Sequence, residues 1–401
     1  MKRTIKIFIV AFILSISLKA TAQWVQYSGS FGGPVNAFAH LGANIFAGTD
    51  VTGVFISSNN GENWTQTSLN NKYVRSFAVD GNNINNIFAG TEPDGVYLST
   101  DNGTTWNQTA LNSGAVYAIA VLGSNIFAGN GNSGIYLSTN NGANWSQTSL
   151  NNVLVYSLAT LGNNIFAATY TGVYISTNNG TSWTNTGLNT QFARSLAVSG
   201  TDIFAGTAGY GVYLSTNDGT NWTQTALTTN SVLSLRAIGN NIFAGTGGTN
   251  GVYFSSNKGT SWIQKNQGFN VVPSVYALLL ANDNIYAGTF ENSVWRRSYS
   301  EIIIGIQNIS SEIPAAFSLS QNYPNPFNPS TTIRYAVPRN GNVRLIIFDA
   351  LGREVETFVN EMQTAGTYEV VWDASRYPSG VYFYKLITDN YSDTRRMLLI
   401  K

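Results

Sequence analysis

Apolar positions in this chain come in short bursts. From Trp24 onwards, runs rich in Val, Ile, Phe, Tyr and Ala alternate with turns of Gly, Asn, Ser and Thr. The pattern returns every 38–42 residues, the spacing between Trp24, Trp64, Trp106, Trp145, Trp183, Trp222 and Trp262. Within each unit an Asn-Ile-Phe-Ala-Gly-Thr-like run (Asn44–Thr49, Asn86–Thr91, Asn241–Thr246) precedes a Gly-Val-Tyr-like run (Gly95–Tyr97, Gly172–Tyr174) and a Ser-Thr-Asn-Asn-Gly turn. Such runs are too short for helices and have the composition of strands. One unit lays out as four: Val116–Val121 (A), Asn125–Gly129 (B), Gly134–Thr139 (C) and Asn144–Thr148 (D). Strand A loses the alternation of a half-exposed strand; Val-Tyr-Ala-Ile-Ala-Val predicts burial on both faces.

A four-stranded unit of this size cannot bury both faces alone, so the repeat predicts a ring of blades, a β-propeller. The B runs number seven, but the turns ending Gly-x-x-Trp number six. The last unit, Ser293–Ser298, leaves the pattern without that turn, and Trp24–Tyr27 is a strand with no A, B or C before it. The two ends complement each other: the N-terminal strand is expected to serve as strand D of blade seven. A closed ring leaves only short protected edges, which matters in a chain with no cysteine to cross-link it.

The flanks read differently. Residues 1–22 have a basic start (Lys2, Arg3, Lys6), an apolar core at Ile7–Leu18 and a small-residue Ala20-Thr21-Ala22 site, the layout of a signal peptide too short in its apolar run to span a membrane comfortably. The expected organisation is a signal peptide at 1–22, a propeller at 23–300, a linker at 301–316 and a second domain at 317–401. In that last part, Gln321–Ile333 is too rich in proline for a continuous strand. Strands follow at about Arg334–Val337, Val343–Asp349, Glu354–Val359, Tyr368–Trp372, Val381–Thr388 and Arg395–Ile400. Their number and spacing suggest a small immunoglobulin-like sandwich. The fold class is all-β.

Charge narrows the partners. Net charge is +1 and only 10% of residues are charged, which argues against nucleic acid or an anionic membrane surface. No cysteine is available as a nucleophile or ligand, no metal or cofactor set is evident, and no transmembrane segment is expected after signal cleavage. The mature protein is expected to be exported.

The C–D turn Ser99-Thr100-Asp101-Asn102-Gly103-Thr104-Thr105-Trp106 matches the Asp-box, S-x-D-x-G-x-T-W. The repeat region therefore resembles the propellers of sialidase-like, sortilin-like, xyloglucanase-type and photosystem II assembly-factor-like proteins. In those families the box is a structural fastener away from the binding face. The same role is expected here for Asp101 and Gly103 and for Trp64, Trp106, Trp145, Trp183, Trp222 and Trp262. Asn59, Asn140, Asn178, Asn217 and Asn257 replace the aspartate in the other copies, which removes the carboxylate a cation would need. From Phe317 to Lys401, with Tyr323-Pro324-Asn325-Pro326-Phe327-Asn328-Pro329 and the basic Arg395–Lys401 end, the chain resembles the C-terminal sorting domain (type A) of the Bacteroidetes type IX secretion system. That resemblance implies passage through the outer membrane, then release or anchoring at the cell surface, with the secretion machinery as partner.

Candidate site residues follow from aligning the blades. Asn36, Arg75, Tyr117, Tyr156, Arg194, Leu233 and Tyr276 share one position at the start of strand A, on the face formed by the D–A and B–C loops. Three tyrosines and two arginines there suit the stacking and hydrogen bonding of sugars; packing between blades is the alternative. Asp50, Glu92, Asp94 and Glu291 lie on B–C loops of blades one, two and seven, and paired carboxylates there could serve glycoside hydrolysis. Resemblance to sialidases implies three arginines around a carboxylate. Arg75 and Arg194 share the ring position, but Arg236 lies three residues beyond it and the Arg-Ile-Pro entry motif is absent. His40, the sole histidine, aligns with Val79, Val121 and Val198 at the far end of strand A. The function expected is a binding or interaction module for a glycan or surface protein. The alternatives are a carbohydrate-active hydrolase and a surface spacer or assembly factor.

Overall fold

The computed structural model describes residues 23–27, 31–81, 83, 85–189, 191–291, 293–299, 302, 307–310, 313–363, 365–374 and 377–401. The expected signal peptide lies outside them, as does part of the expected linker. The fold is almost entirely β, a seven-bladed propeller followed by a β-sandwich.

Seven four-stranded antiparallel sheets carry the strand order A-B-C-D predicted from the repeat. Strand A runs Val35–Leu41 in blade one, then Tyr73–Val79, Val116–Leu122, Val155–Leu161, Ala193–Ser199, Val232–Ile238 and Val275–Ala281. The A strands touch one another in sequence around the ring, blade seven's against blade one's. Strand B is the most buried. In Asn44–Thr49 every residue after the first is fully enclosed, and Phe46, Phe88, Phe127, Phe166, Phe204, Phe243 and Tyr286 fill the same wedge between successive blades. Both faces of B are covered, which is why its sequence is apolar without alternation.

The N-terminal strand closes the ring. Val25–Tyr27 pairs with strand C of blade seven, Val25 against Arg296, Gln26 against Trp295 and Tyr27 against Val294. Trp24 is 2% exposed; its Nε1 donates to Lys265 O at 2.6 Å, its backbone N to Gln267 O at 2.8 Å, and its ring stacks on Phe269 at 5.1 Å. Ile302, fully buried, joins the same cluster, so the propeller's packing runs just past the expected boundary at Ser300.

The second domain has two sheets. One orders the strands 307–310, 366–373, 330–337, 318–319; the other 354–363, 341–349, 380–388, 392–399. Gln307–Ser310 thus pairs with Gly366–Asp373 as an edge strand where a linker was expected. All six expected strands are present. Trp372, Tyr335, Tyr384, Val343, Leu345 and Met397 centre the core. The proline-rich stretch lies along the outer edge of the last strand, Ser392–Leu399. Phe327 N donates to Leu398 O, Ile400 N to Phe327 O, Leu398 N to Asn325 Oδ1, and the Gln321 and Asn325 amides to Arg396 O.

Candidate functional site

The Asp-box turns sit on the face opposite the B–C loops, beside the A–B hairpins; Asn102 N donates to Asn85 O and Lys258 N to Asn240 O there. In the full copy Ser99 Oγ accepts from Gly103 N at 2.8 Å, and Asp101 Oδ1 accepts from Thr105 N at 2.8 Å. The Asn copies repeat both bonds through a single oxygen, for example Ser138 with Gly142 at 2.9 Å and Asn140 with Asn144 at 2.9 Å. The residue before each turn glycine is left-handed, with φ between 52° and 58° at Asn60, Asn102, Asn141, Asn179, Asp218 and Lys258. Trp145, Trp222 and Trp262 donate from Nε1 to Thr109, Thr186 and Thr225 of the preceding blade, each at 3.2 Å, and so tie neighbours together. Trp106 instead bonds its own Gly103 O at 3.1 Å. Trp183 Nε1 and its counterpart Thr148 Oγ1 are buried without a bond. No cluster of metal-ligating side chains occurs among the described residues. Three of the turns are thus bonded through their tryptophan to the preceding blade.

Asp101 is the one carboxylate at the six box positions, and it makes its own turn acid-sensitive. Hydrogen bonds from the Thr105 backbone N–H, then from the Thr105 and Ser99 hydroxyls, hold its carboxyl below the usual range. A lowered folded pKa contributes stability above the unfolded value of about 3.9, lost as pH falls through the folded pKa. Asp101→Asn is expected to leave the melting temperature at pH 7 within about 2 °C, because Oδ1 suffices in five sister blades, and to flatten the acid loss below pH 4. Melting curves at pH 7 and pH 3 check this.

The ring position has a local backbone cause that the sequence did not disclose. In all seven blades the A–B ladder slips at that residue: register is broken between Val35 and Ala37, Val74 and Ser76, Val116 and Ala118, Val155 and Ser157, Ala193 and Ser195, Val232 and Ser234, Val275 and Ala277. A bulge leaves its residue unpaired and re-aims the side chain. Asn36, Arg75, Tyr117, Tyr156, Arg194, Leu233 and Tyr276 are accordingly all half-buried, each after a buried residue.

A second ring lies beside the first, at the residue after each Asn-Ile-Phe-Ala-Gly-Thr-like run: Asp50, Glu92, Gly131, Tyr170, Ala208, Gly247 and Phe290. In five of the seven the backbone N–H reaches back to the residue two before the bulge. Asp50 bonds Pro34 O, Gly131 Ala115 O, Ala208 Phe192 O, Gly247 Ser231 O and Phe290 Ser274 O, at 2.7–3.2 Å. The two rings interlock. Asn36 Nδ2 donates to Asp50 Oδ1 at 2.7 Å; Arg75 donates from NH1 to Asp50 at 2.5 Å and from Nε to Glu92 at 2.9 Å. The Tyr117 hydroxyl is near enough to Glu92 to feel its charge, and burial and then Glu92 push its pKa up. Tyr117 lies 6.2 Å from Tyr156, Tyr156 4.8 Å from Phe192, and Phe192 5.4 Å from Tyr170. Desolvation likewise raises the Tyr156 hydroxyl. Tyr276 meets Phe290 at 6.1 Å. Blades one and two thus carry a hydrogen-bonded polar arm, and blades three to five an aromatic one.

The expected carboxylates do not form one group. Asp50 and Glu92 converge on Arg75, Asp94 pairs with Lys72 at 3.0 Å, and Glu291 is exposed on blade seven. Arg236 sits mid-strand opposite Phe243, so no trio of arginines assembles; desolvation lowers its pKa, and it forms no ion pair among the described residues. His40 pairs with Ile45 near the other face, with Nε2 buried and unbonded. Sequence reasoning passed over Phe192 and Tyr170, because the residues that share their positions in other blades are of unlike type, Pro34 and Ala115 for the first and Asp50 and Gly131 for the second. Of the eight large hydrophobic residues exposed on the described propeller, six line this face: Val51, Tyr73, Tyr170, Tyr210, Val271 and Phe290.

Residues 321–401 match the Secretion system C-terminal sorting domain family. The tail is a sorting domain. It marks proteins carried by the type IX route to the cell surface or beyond, so this is a secreted or cell-surface propeller. No curated protein matches the chain in sequence. Among solved structures it is similar to PorZ, an essential surface component of the type IX secretion system of Porphyromonas gingivalis. That similarity has 18% identity and a TM-score of 0.52, over 91% of this chain and 59% of PorZ. YCF48 from Cyanidioschyzon merolae aligns at 14% identity and TM-score 0.58, over 70% of this chain and 99% of its own. The extracellular domain of BT4673 from B. thetaiotaomicron aligns at 20% identity and TM-score 0.58, over 93% and 52%. The chain therefore spans about half the length of two of these neighbours, and at such identities the likeness is one of fold. No helix among the described residues is long and apolar enough to cross a membrane.

Proposed function

We propose that the propeller is an extracellular binding module and that the face bearing the two interlocked rings holds the ligand. The observation that carries this reading is the one-sided distribution of exposed apolar and aromatic side chains. Tyr73, Tyr170, Tyr210 and Phe290 stand on that face beside the half-buried tyrosines, whereas the opposite face is built of Asn-rich turns closed on their own hydrogen bonds. Exposed aromatics rimmed by hydrogen-bonding groups are what a sugar or a protein partner docks on. Hydrolysis fits less well. An acid–base pair needs two carboxyls facing a shared substrate, and here one guanidinium occupies an oxygen of each of the two nearest.

A glycan array with the purified protein tests the reading, beside a Tyr117/Tyr156/Tyr276→Ala triple variant. Binding by the native protein is expected to weaken at least roughly tenfold in the variant, the loss of two or three stacking contacts. A blank array together with no partner captured from the cell surface would overturn it; binding unchanged in the variant would move the site elsewhere.

A further inference from the structure

Arg75 and Arg194 occupy the same bulge in blades two and five, and each lies over the aromatic residue two positions earlier, Arg75 over Tyr73 at 5.9 Å and Arg194 over Phe192 at 5.7 Å. The repeat thereby supplies its own reference for what an arginine at this place takes. Arg75 takes two carboxylates, Asp50 from the preceding blade's B–C loop and Glu92 from its own. The corresponding loop positions around Arg194 are Tyr170 and Ala208. Both acids are gone, and the Arg194 side chain has no hydrogen bond or ion pair among the described residues. What surrounds it is aromatic: Tyr156 at 5.5 Å from its guanidinium, Phe192, and Tyr170 packed on Phe192 and 65% exposed.

We propose that Arg194 is the receptor for a carboxylate on the ligand, which fills the place that Asp50 and Glu92 hold at Arg75, and that the ligand is a uronic-acid-containing glycan. A guanidinium stacked on a ring and stripped of its counter-ion binds a carboxylate through paired charge-assisted bonds. The rings beside it, Tyr156, Tyr170 and Phe192, offer faces to the C–H face of a sugar, and Tyr117 and Tyr156 offer hydroxyls. The acids of blades one and two stand on the other arm, so the face takes a carboxylated sugar at one end and neutral ones across the rest.

This inference rests on the binding reading above, and its test separates the two. Titration calorimetry would compare tetragalacturonate with its carboxyl-reduced, neutral counterpart, on the native protein, Arg194→Gln and Ala208→Glu. The last change rebuilds around Arg194 the carboxylate that Glu92 gives Arg75. The native protein is expected to prefer the acidic probe by at least roughly tenfold, and each variant to lose that preference. An unchanged melting temperature in Ala208→Glu would show that the loss is not unfolding. Equal binding of both probes, abolished by the tyrosine triple variant, would overturn the carboxylate assignment and leave the face as the site. Binding of a glutamate-bearing peptide but not of the uronate would overturn the glycan assignment, as would Arg194-independent binding of tetragalacturonate.

Discussion

Trp24→Ala will destabilise the propeller by about 3–5 kcal/mol, the range for removing a fully buried tryptophan. The side chain does three things at once. It packs into the cluster of Phe254, Trp295 and Ile302, it stacks on Phe269, and its Nε1 satisfies the Lys265 carbonyl 241 residues away. Truncation leaves a cavity and orphans that carbonyl, and the strand it anchors has only three further residues of pairing. Denaturant unfolding gives the number. Val25→Ala is the control, since Val25 is 44% exposed on the same strand and its loss should cost no more than about 0.5 kcal/mol. A Trp24→Ala loss near that of the control would show the ring is held shut elsewhere.

Gly211→Ala will cost about 2–4 kcal/mol, for two reasons that add. Its φ is +69°, a conformation costing an L-residue about 1–2 kcal/mol. An added Cβ would also lie 1.8 Å from the Leu227 carbonyl oxygen, which cannot retreat because Val212 N is bonded to it at 2.9 Å. The glycine is the point where strand C and the end of strand D cross at backbone contact. Gly53, Gly95, Gly134 and Gly172 stand in the same place, each with a leucine carbonyl at 2.1 Å. Gly209→Ala separates the two terms: its φ is +95° but nothing lies within 4 Å of the added carbon. Equal losses from the two variants in thermal melts would reduce the Gly211 effect to backbone strain alone.

Those glycines also mark what the chain discloses unaided. The Gly-Val-Tyr repeat is plain in the sequence, as are the blade count, the phase offset that sends Trp24 to blade seven, and the export tail. Periodicity reports these directly, because every blade solves the same burial problem. The reason for each glycine is not legible, since it depends on a carbonyl some sixteen positions further on. The site was legible by half. Alignment put Asn36 through Tyr276 on one ring, but the bulge that turns them outward is a feature of pairing, not of residue type. Asp50 and Glu92 read as free carboxylates until Arg75 was seen between them. Phe192 and Tyr170 have register in the repeat but share their positions with unlike residues, Pro34 and Ala115 for the first and Asp50 and Gly131 for the second, so no repeated residue type marks them. The stretch at 307–310 read as a linker because four polar and apolar residues beside unpatterned sequence carry no signal of their own; its partner strand supplies the order.

The lead-in of the sorting domain bears on how such a tail can be read. From Arg396 to Ile400 the outward backbone groups of the final strand already have partners in Gln321, Asn325 and Phe327. An unclaimed strand edge is a template on which any extended chain can crystallise a new row. Here that template is spoken for. What the strand offers a visitor is its outward side chains, Arg395, Arg396 and Leu398, with Met397 and Leu399 locked into the core behind them. The edge of this strand from Arg396 to Ile400 is thereby closed to pairing with another chain.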